Sequence, residues 1–366
     1  MTRIPTYWDY LKLDRLLGLQ GGIDDDEAEV SADELHFIVV HQAFELWFKL
    51  ALRELRLARD LLAAPRVAEE ALPHVVHHLA RIHRIFHLGV DQLAVVETLT
   101  PQDFLAFRDK LAPASGFQSF QMRELEVLLG LDERDRVVEG GLDPMGMLER
   151  LGRGSPAGQL AWERVQAARA ETTLREGLRR WLHRTPIQGS SPGDPGDDEV
   201  VRGFIEAYLH ALEGTHGRET ARLQTVPGAD AATSEARVAQ GESLARQFLE
   251  ARDAPEAERA FTRRVRAGLL FIESYRQLPL LAWPRTLVDT VVELEEQLVL
   301  WRGRHARMVE RVIGRRIGTG GSSGVDYLDA TARVRIFGEL WTVRTILLPR
   351  DVVPPLADPA FYGFRT

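Results

Sequence analysis

The chain has 366 residues, of which 45% are hydrophobic and 27% charged, a composition typical of a soluble globular protein. Its net charge of −8 argues against a nucleic-acid partner, because contacts with phosphates need a concentrated basic surface. The absence of cysteine excludes disulfides, thiolate nucleophiles, zinc–thiolate sites and thiolate-ligated haem.

The N-terminal segment MTRIPTYWDYLKL lacks the apolar core of a signal peptide, and no run of about 18 apolar residues follows it. We therefore expect a cytoplasmic protein. Ser31–Glu34 (SADE) then matches a capping box, which marks the start of a helix. The predicted helix has an apolar stripe in steps of 4 and 3, formed by Phe37, His41, Phe44, Phe48, Ala51 and Leu55.

Two further helix starts can be placed from the sequence. Thr100–Asp103 (TPQD) combines a capping threonine with a proline at the first helical position. A later helix is predicted to begin near Thr286 and to be ended by Gly314 and Gly318. Its stripe again has steps of 4 and 3, through Leu287, Val291, Leu294, Leu298, Trp301, His305, Met308 and Val312.

Two segments, 183–200 and 225–243, are rich in residues that favour loops, and we interpret them as flexible inserts. Elsewhere helical periodicity predominates, and convincing alternating strands are missing. The sequence therefore predicts one all-α domain spanning residues 1–366.

Two histidines, His41 and His305, each lie in the middle of an apolar stripe. Burying an imidazole without a partner costs about 1–3 kcal/mol, so each ring needs a hydrogen bond or a ligand. One interpretation is a pair of core histidines bonded to carbonyl groups or water. The other is a haem pocket, with one imidazole as axial ligand and the other on the distal side. Spacing alone leaves both open.

Other polar residues also allow two interpretations. Arg108 lies one turn after Phe104 on an apolar face, where a guanidinium pairs either with a protein carboxylate or with that of a ligand. The histidines between residues 74 and 87 include two i, i+4 pairs, as on a metal-binding helix face. We favour a solvated face for them, since the nearest carboxylates lie across expected helix boundaries.

Four blocks of the sequence, in this order, resemble the signature regions of the tryptophan 2,3-dioxygenase family. They are YWDYLKLDRLLGLQ (7–20), DELHFIVVHQAFELWFKLALREL (33–55), VETLTPQDFLAFRDKLAPASGFQSFQMRELEVLLG (96–130) and WRGRHARMVERVIGRRIGTGGSSGVDYL (301–328). The resemblance implies an all-α, cytoplasmic homotetramer that contains haem b and functions in tryptophan catabolism, in the kynurenine pathway. It would open the indole ring of L-tryptophan with O2 and give N-formyl-L-kynurenine.

The resemblance also implies roles for individual residues. His305 would be the proximal ligand of the haem iron, and His41 the distal histidine that bonds the indole N–H. Arg108 would bind the substrate carboxylate, and Thr319 would reach its ammonium and carboxylate end. Ser115 matches a residue beside the haem and the substrate. The indole would be walled by Phe37, Phe104, Leu11 and Tyr10, with Tyr7 close by; in the family a neighbouring subunit donates this N-terminal segment.

Some positions depart from the family pattern. Ala32, His36 and Phe44 replace more usual residues, and Gly303 lies inside the predicted proximal helix, where glycine costs about 1 kcal/mol. None of these positions has a predicted site role, but the departures leave the identity of the substrate open. An alternative is a tailoring haem oxygenase that acts on a modified tryptophan in a natural-product pathway. A haem-binding sensor or a purely structural bundle would leave Arg108 without a role.

Overall fold

A computed structural model of the chain describes residues 4, 6–112, 114–137, 143–223, 231–318 and 323–363. Within these ranges the chain forms fifteen α-helices and no β-strand, which confirms the predicted all-α fold. The helices are α1 (Tyr7–Leu11), α2 (Leu13–Leu16), α3 (Ala32–Ala63), α4 (Leu72–Val96), α5 (Pro101–Leu111), α6 (Phe120–Leu129), α7 (Pro144–Gly152), α8 (Pro156–Arg169), α9 (Leu174–His183), α10 (Asp197–Leu223), α11 (Ala231–Leu249), α12 (Arg259–Ser274), α13 (Ala282–Ile313), α14 (Val325–Thr331) and α15 (Gly338–Thr345).

The starts of α3 and α5 follow their capping residues. Thr100 Oγ1 accepts a hydrogen bond from the Asp103 backbone N–H at 3.2 Å, as predicted. Ser31 Oγ accepts one from the Glu34 backbone N–H at 3.2 Å. The Glu34 carboxylate bonds to Lys110 Nζ (2.9 Å). The Ser31 half of the predicted capping box therefore forms, while the carboxylate serves a contact between α3 and α5.

Helix α13 is longer than the sequence predicts. It begins at Ala282 instead of near Thr286, and so includes Pro284 in its first turn. Proline is tolerated there because the first backbone N–H groups of a helix have no partner within the helix. The helix ends at Ile313 and is followed by Gly314 with φ of 62°, a conformation that glycine adopts without strain.

The described residues divide into two compact units. The first comprises Met1–Glu54, Arg81–Glu171 and Glu296–Val334, and the second Leu55–Ala80, Thr172–Glu295 and Arg335–Thr366.

In the first unit α8 packs against α6 and α7. Its small buried cluster of Met145, Leu148 and Val165 is covered by Phe120 and Trp162. By length and composition alone, α3 is the one helix of the described ranges apolar enough to cross a bilayer. Three of its apolar residues, Phe37, Phe44 and Phe48, line a cavity of the first unit.

In the second unit α12 packs against α9, so closely that a Cβ added at Gly268 would lie 2.6 Å from the Leu182 carbonyl oxygen. The end of α9 and the stretch that follows it are bonded to α12, since Arg264 donates to the carbonyls of His183 (2.9 Å) and Thr185 (3.2 Å). Residues 231–243, where the composition predicts a loop, belong to α11.

Candidate active site

A cavity of about 520 Å³ lies within the first unit. Its wall is mainly apolar and aromatic, with a few polar groups, an arrangement typical of sites for small organic molecules. The residues that matter for its chemistry come from four helices and one loop: Phe37, His41, Phe44, Glu45 and Phe48 on α3; Phe104 and Arg108 on α5; Ser115 in the loop; Arg123 and Glu126 on α6; and Trp301, Arg302 and His305 on α13.

The His41 ring faces this cavity. Its surface is exposed to the space inside the cavity, whose walls are protein. Its Nδ1 lies 2.7 Å from the carbonyl oxygen of Phe37, one turn earlier on α3. Because a carbonyl can only accept, Nδ1 carries the proton and Nε2 keeps its lone pair. Burial lowers the pKa of His41, and this outweighs the raising effects of that hydrogen bond and of the Glu45 charge. The ring is therefore a neutral imidazole with one free acceptor.

His305 lies on the same cavity, on α13. Burial, and secondarily the charge that His41 can carry, lower its pKa to about 4. Its ring stacks on that of Trp301, with 5.3 Å between the ring centres and 14° between the planes. Within the described part of the chain, no group forms a hydrogen bond with either of its ring nitrogens. His305 is therefore a neutral imidazole that is held in place by packing. One of its ring nitrogens keeps a lone pair that can bind a ligand.

Arg108 projects from α5 into the same cavity. Its Nη2 donates to the carbonyl oxygen of Ile317 at 2.5 Å, while none of the residues that the structure describes bonds to its buried Nε. No carboxylate in the described ranges pairs with this guanidinium, which disfavours the structural ion pair. Ser115 lines the cavity and accepts a hydrogen bond from the Phe117 backbone N–H (3.3 Å).

The predicted aromatic wall is present in part. Phe37 lies 3.9 Å from His41 and 5.9 Å from Phe104 between ring centres, and all three line the cavity. Tyr7, Tyr10 and Leu11 do not line the cavity of their own chain; they lie on α1, and their side chains are exposed. Thr319 lies outside the described residues.

Sequence reasoning missed a buried charged network on one wall of the cavity. The carboxylate of Glu126 accepts from Arg136 Nη1 (2.7 Å), Arg123 Nη1 (3.0 Å) and Arg302 Nη2 (3.1 Å). Burial alone would raise the pKa of Glu126, but the charges of the three arginines, Arg123 first, outweigh burial and lower it. Arg123 lies one turn before Glu126 on α6, which was a local signal, but Arg302 lies 176 residues away, so the sequence could not reveal the whole network.

Glu45 was also missed. Its carboxylate lines the cavity and accepts hydrogen bonds from Ser119 Oγ (2.6 Å) and Gln121 Nε2 (2.7 Å). Its position one turn after His41 was the available signal. The histidines on α4 do not form a metal site: among the described residues, no group of three His, Asp or Glu side chains could hold a metal ion.

Comparison with known proteins identifies the kind of molecule that has this cavity. A model of tryptophan 2,3-dioxygenase matches residues 4–347. The chain belongs to the tryptophan 2,3-dioxygenase family. Two similar proteins are a tryptophan 2,3-dioxygenase of Sorangium cellulosum, 46% identical over 100% of this chain and 89% of the relative, and tryptophan 2,3-dioxygenase 2 of Ralstonia nicotianae, 46% identical over 98% and 97%. A tryptophan 2,3-dioxygenase-like protein of Xanthomonas campestris is 48% identical over 73% of this chain and 98% of the relative.

Membership of the tryptophan 2,3-dioxygenase family confirms the resemblance seen in the four sequence blocks and makes the chain an oxidoreductase. Of the residues predicted from that resemblance, the structure gathers Phe37, His41, Phe104, Arg108, Ser115 and His305 around one cavity.

Proposed function

We propose that this protein is a haem-dependent dioxygenase that cleaves the C2–C3 bond of the indole of L-tryptophan with O2 to give N-formyl-L-kynurenine. In this reaction both oxygen atoms end in the product, one on each carbon of the broken bond. The observation that carries the proposal is the single cavity shared by His41, His305 and Arg108 in a chain of this family.

The wall of the cavity fits a haem. His305 has no hydrogen-bond partner among the described residues, and its buried, neutral imidazole is the form that binds iron. Aromatic and aliphatic side chains suit the porphyrin face, and the guanidinium groups of Arg123 and Arg302 lie on the same wall. We assign His305 as the residue that would hold the haem iron and Ser115 as a residue that would lie beside the cofactor. Ferrous haem held there would supply the binding and activation of O2.

His41 orients the substrate in this proposal. Its Nδ1 proton is fixed on the Phe37 carbonyl, so Nε2 is the atom that accepts a hydrogen bond from the indole N–H. A neutral ring is needed for that contact, and burial keeps it neutral. Because His41 acts by orientation, we expect His41→Ala to lower turnover without abolishing it.

Arg108 binds the carboxylate of the amino acid. A guanidinium without a protein carboxylate, on an otherwise apolar wall, is suited to hold a ligand carboxylate in two parallel hydrogen bonds. We assign the ammonium end of the substrate to Thr319. The indole would then lie against Phe37 and Phe104, whose apolar rings exclude water from the reacting atoms.

The N-terminal residues complete the proposal. The side chains of Tyr7 and Tyr10 are 70% and 79% exposed, and that of Leu11 is 42% exposed, a grouping of apolar surface that favours a covering partner. We propose that the protein is a cytoplasmic homotetramer in which this segment contributes to the site of a neighbouring subunit.

The proposal is tested by reducing the purified haem protein without air, adding L-tryptophan and O2, and measuring product mass. We expect a gain of two oxygen atoms with loss of the intact indole ring. A gain of one oxygen atom would instead support the tailoring oxygenase. We expect His305→Ala to lose haem and activity, and His36→Ala to serve as a control, because His36 lies on α3 but does not line the cavity. Full activity of His305→Ala would refute the assignment.

The carboxylate contact has its own test. Arg108→Gln should raise the KM for L-tryptophan by about 10- to 100-fold, as expected when a hydrogen bond to a charged group is lost. Tryptamine has no carboxylate, so the variant should bind it as the wild type does. An equal loss for both compounds would show that Arg108 acts on the shape of the cavity.

A further inference from the structure

The orientation of the His305 ring needs an explanation. A histidine that binds a metal nearly always donates its other ring N–H to a carboxylate or carbonyl group, which fixes the rotation of the ring. In the part of the chain that the structure describes, no such acceptor bonds to His305. What contacts the ring is Trp301, one turn earlier on α13, stacked at 5.3 Å and nearly parallel at 14°.

Trp301 is itself packed among other aromatic rings. Three phenylalanines pack edge-on against its indole: Phe48 (6.0 Å, 83°), Phe86 (6.1 Å, 71°) and Phe44 (6.2 Å, 70°). Gly89 on α4 leaves the room that the indole occupies, since a Cβ there would lie 3.2 Å from its Cδ1 and Nε1. The indole is thus confined by three phenylalanine rings and by the close approach of Gly89.

The polar atom of Trp301 does not explain its presence. Its Nε1 is buried and bonds to no group in the described ranges, which is unfavourable for a buried donor. A phenylalanine or leucine would avoid this penalty if only packing mattered. What the indole offers beyond a smaller side chain is a broad flat face, and that face lies against the imidazole of His305.

We propose that Trp301 is the positioning residue of His305: its indole fixes the rotation of the imidazole by stacking, in the role that a hydrogen-bond acceptor usually fills. The inference rests on the proposed function only in taking His305 as the iron ligand. It predicts a neutral axial imidazole of low basicity, because no anionic or carbonyl acceptor polarises its N–H.

The test compares three variants of the haem-loaded protein. Trp301→Leu removes the flat face, Trp301→Phe retains a ring, and Phe86→Leu removes a ring that contacts Trp301 but does not line the cavity. The readouts are the iron–histidine stretching band in resonance Raman spectra and the rate of haem transfer to an apoprotein acceptor. For Trp301→Leu we expect a broadened or shifted band and haem loss about 3- to 10-fold faster, the scale of one lost ring pair.

Trp301→Phe should restore a single sharp band. Phe86→Leu removes one of the three rings around Trp301 and leaves two, so it should lower stability but change the band much less than Trp301→Leu does. The inference is overturned if Trp301→Leu keeps the wild-type band, or if Phe86→Leu changes it equally. Should Trp301→Leu fail to fold, Trp301→Met serves in its place with the same expected change. A wild type that binds haem without an iron–histidine band would refute the proposed function itself, which distinguishes the two failures.

Discussion

The Glu126 network allows a sharp prediction about stability. Glu126→Gln keeps the size of the side chain but removes the charge that faces Arg123, Arg136 and Arg302. The amide has one accepting oxygen, and its NH2 group would point a donor at a guanidinium. Because at least one buried guanidinium loses its carboxylate, we expect the free energy of unfolding to fall by about 3–5 kcal/mol. All three contacts, at 2.7 to 3.1 Å, lie within hydrogen-bond distance, so each contributes to this expected loss.

The matched control is Glu133→Gln. Glu133 contacts the same network through Arg136 (3.1 Å), but its side chain is 53% exposed, so water and salt screen the pair. We expect a loss of at most about 1 kcal/mol for this control. Both variants would be unfolded in urea and followed by circular dichroism, at equal haem content, because a bound ligand adds to apparent stability.

The same network predicts a pH dependence. The folded pKa of Glu126 lies below its ordinary value of 4.5, so its contribution is complete above 4.5 and is lost as the pH falls through the folded value. The difference between wild type and Glu126→Gln should therefore persist from neutral pH down to 4.5 and shrink only below it. Equal losses for Glu126→Gln and Glu133→Gln at neutral pH would refute the reasoning.

Two further outcomes are expected. Burial lowers the pKa of His41 below 6.5, so kcat/KM should be constant above pH 6.5 and should fall as the pH drops through the pKa of the folded protein. If His41→Ala shows the same fall at acid pH, the assignment of His41 is contradicted. Gly268→Ala should lower the free energy of unfolding by about 1–3 kcal/mol, because its Cβ would lie 2.6 Å from the rigid Leu182 carbonyl oxygen. Gly203→Ala, whose Cβ would meet no described atom within 4 Å in α10, should instead raise it by about 0.5–1 kcal/mol in the same urea assay.

Local signals in the sequence predicted much of the helical framework. Thr100 and Gly314 mark helix ends because capping and positive φ depend on neighbouring residues alone. The start of α13 was misplaced because Pro284 is harmless only in a first turn, and the sequence does not say which turn is first. Residues 231–243 are helical although Gly, Ser and Thr occur there, since such propensities are weak and tertiary packing overrides them.

The candidate site was likewise predicted only in part from the sequence. The apolar stripes placed His41 and His305 on helix faces, and the family resemblance supplied their expected roles. The Glu126 network and the stack on Trp301 depend on side-chain geometry. A carboxylate at position 126 and a guanidinium at 302 give no sign in the sequence that they meet. For Trp301 the spacing of four indicated a shared face with His305, but the angle between the rings appears only in the structure.

The wall of the cavity comes from residues as far apart as Phe37 and Thr331. A ribosome makes the first of these early and the last near the end of the chain, so for most of synthesis the nascent protein has only one side of its site. The haem site proposed above is therefore complete only once synthesis has passed Thr331. A fragment that ends before α13 lacks Trp301, which packs against Phe44 and Phe48 of α3, and would leave those rings exposed to water and prone to aggregation.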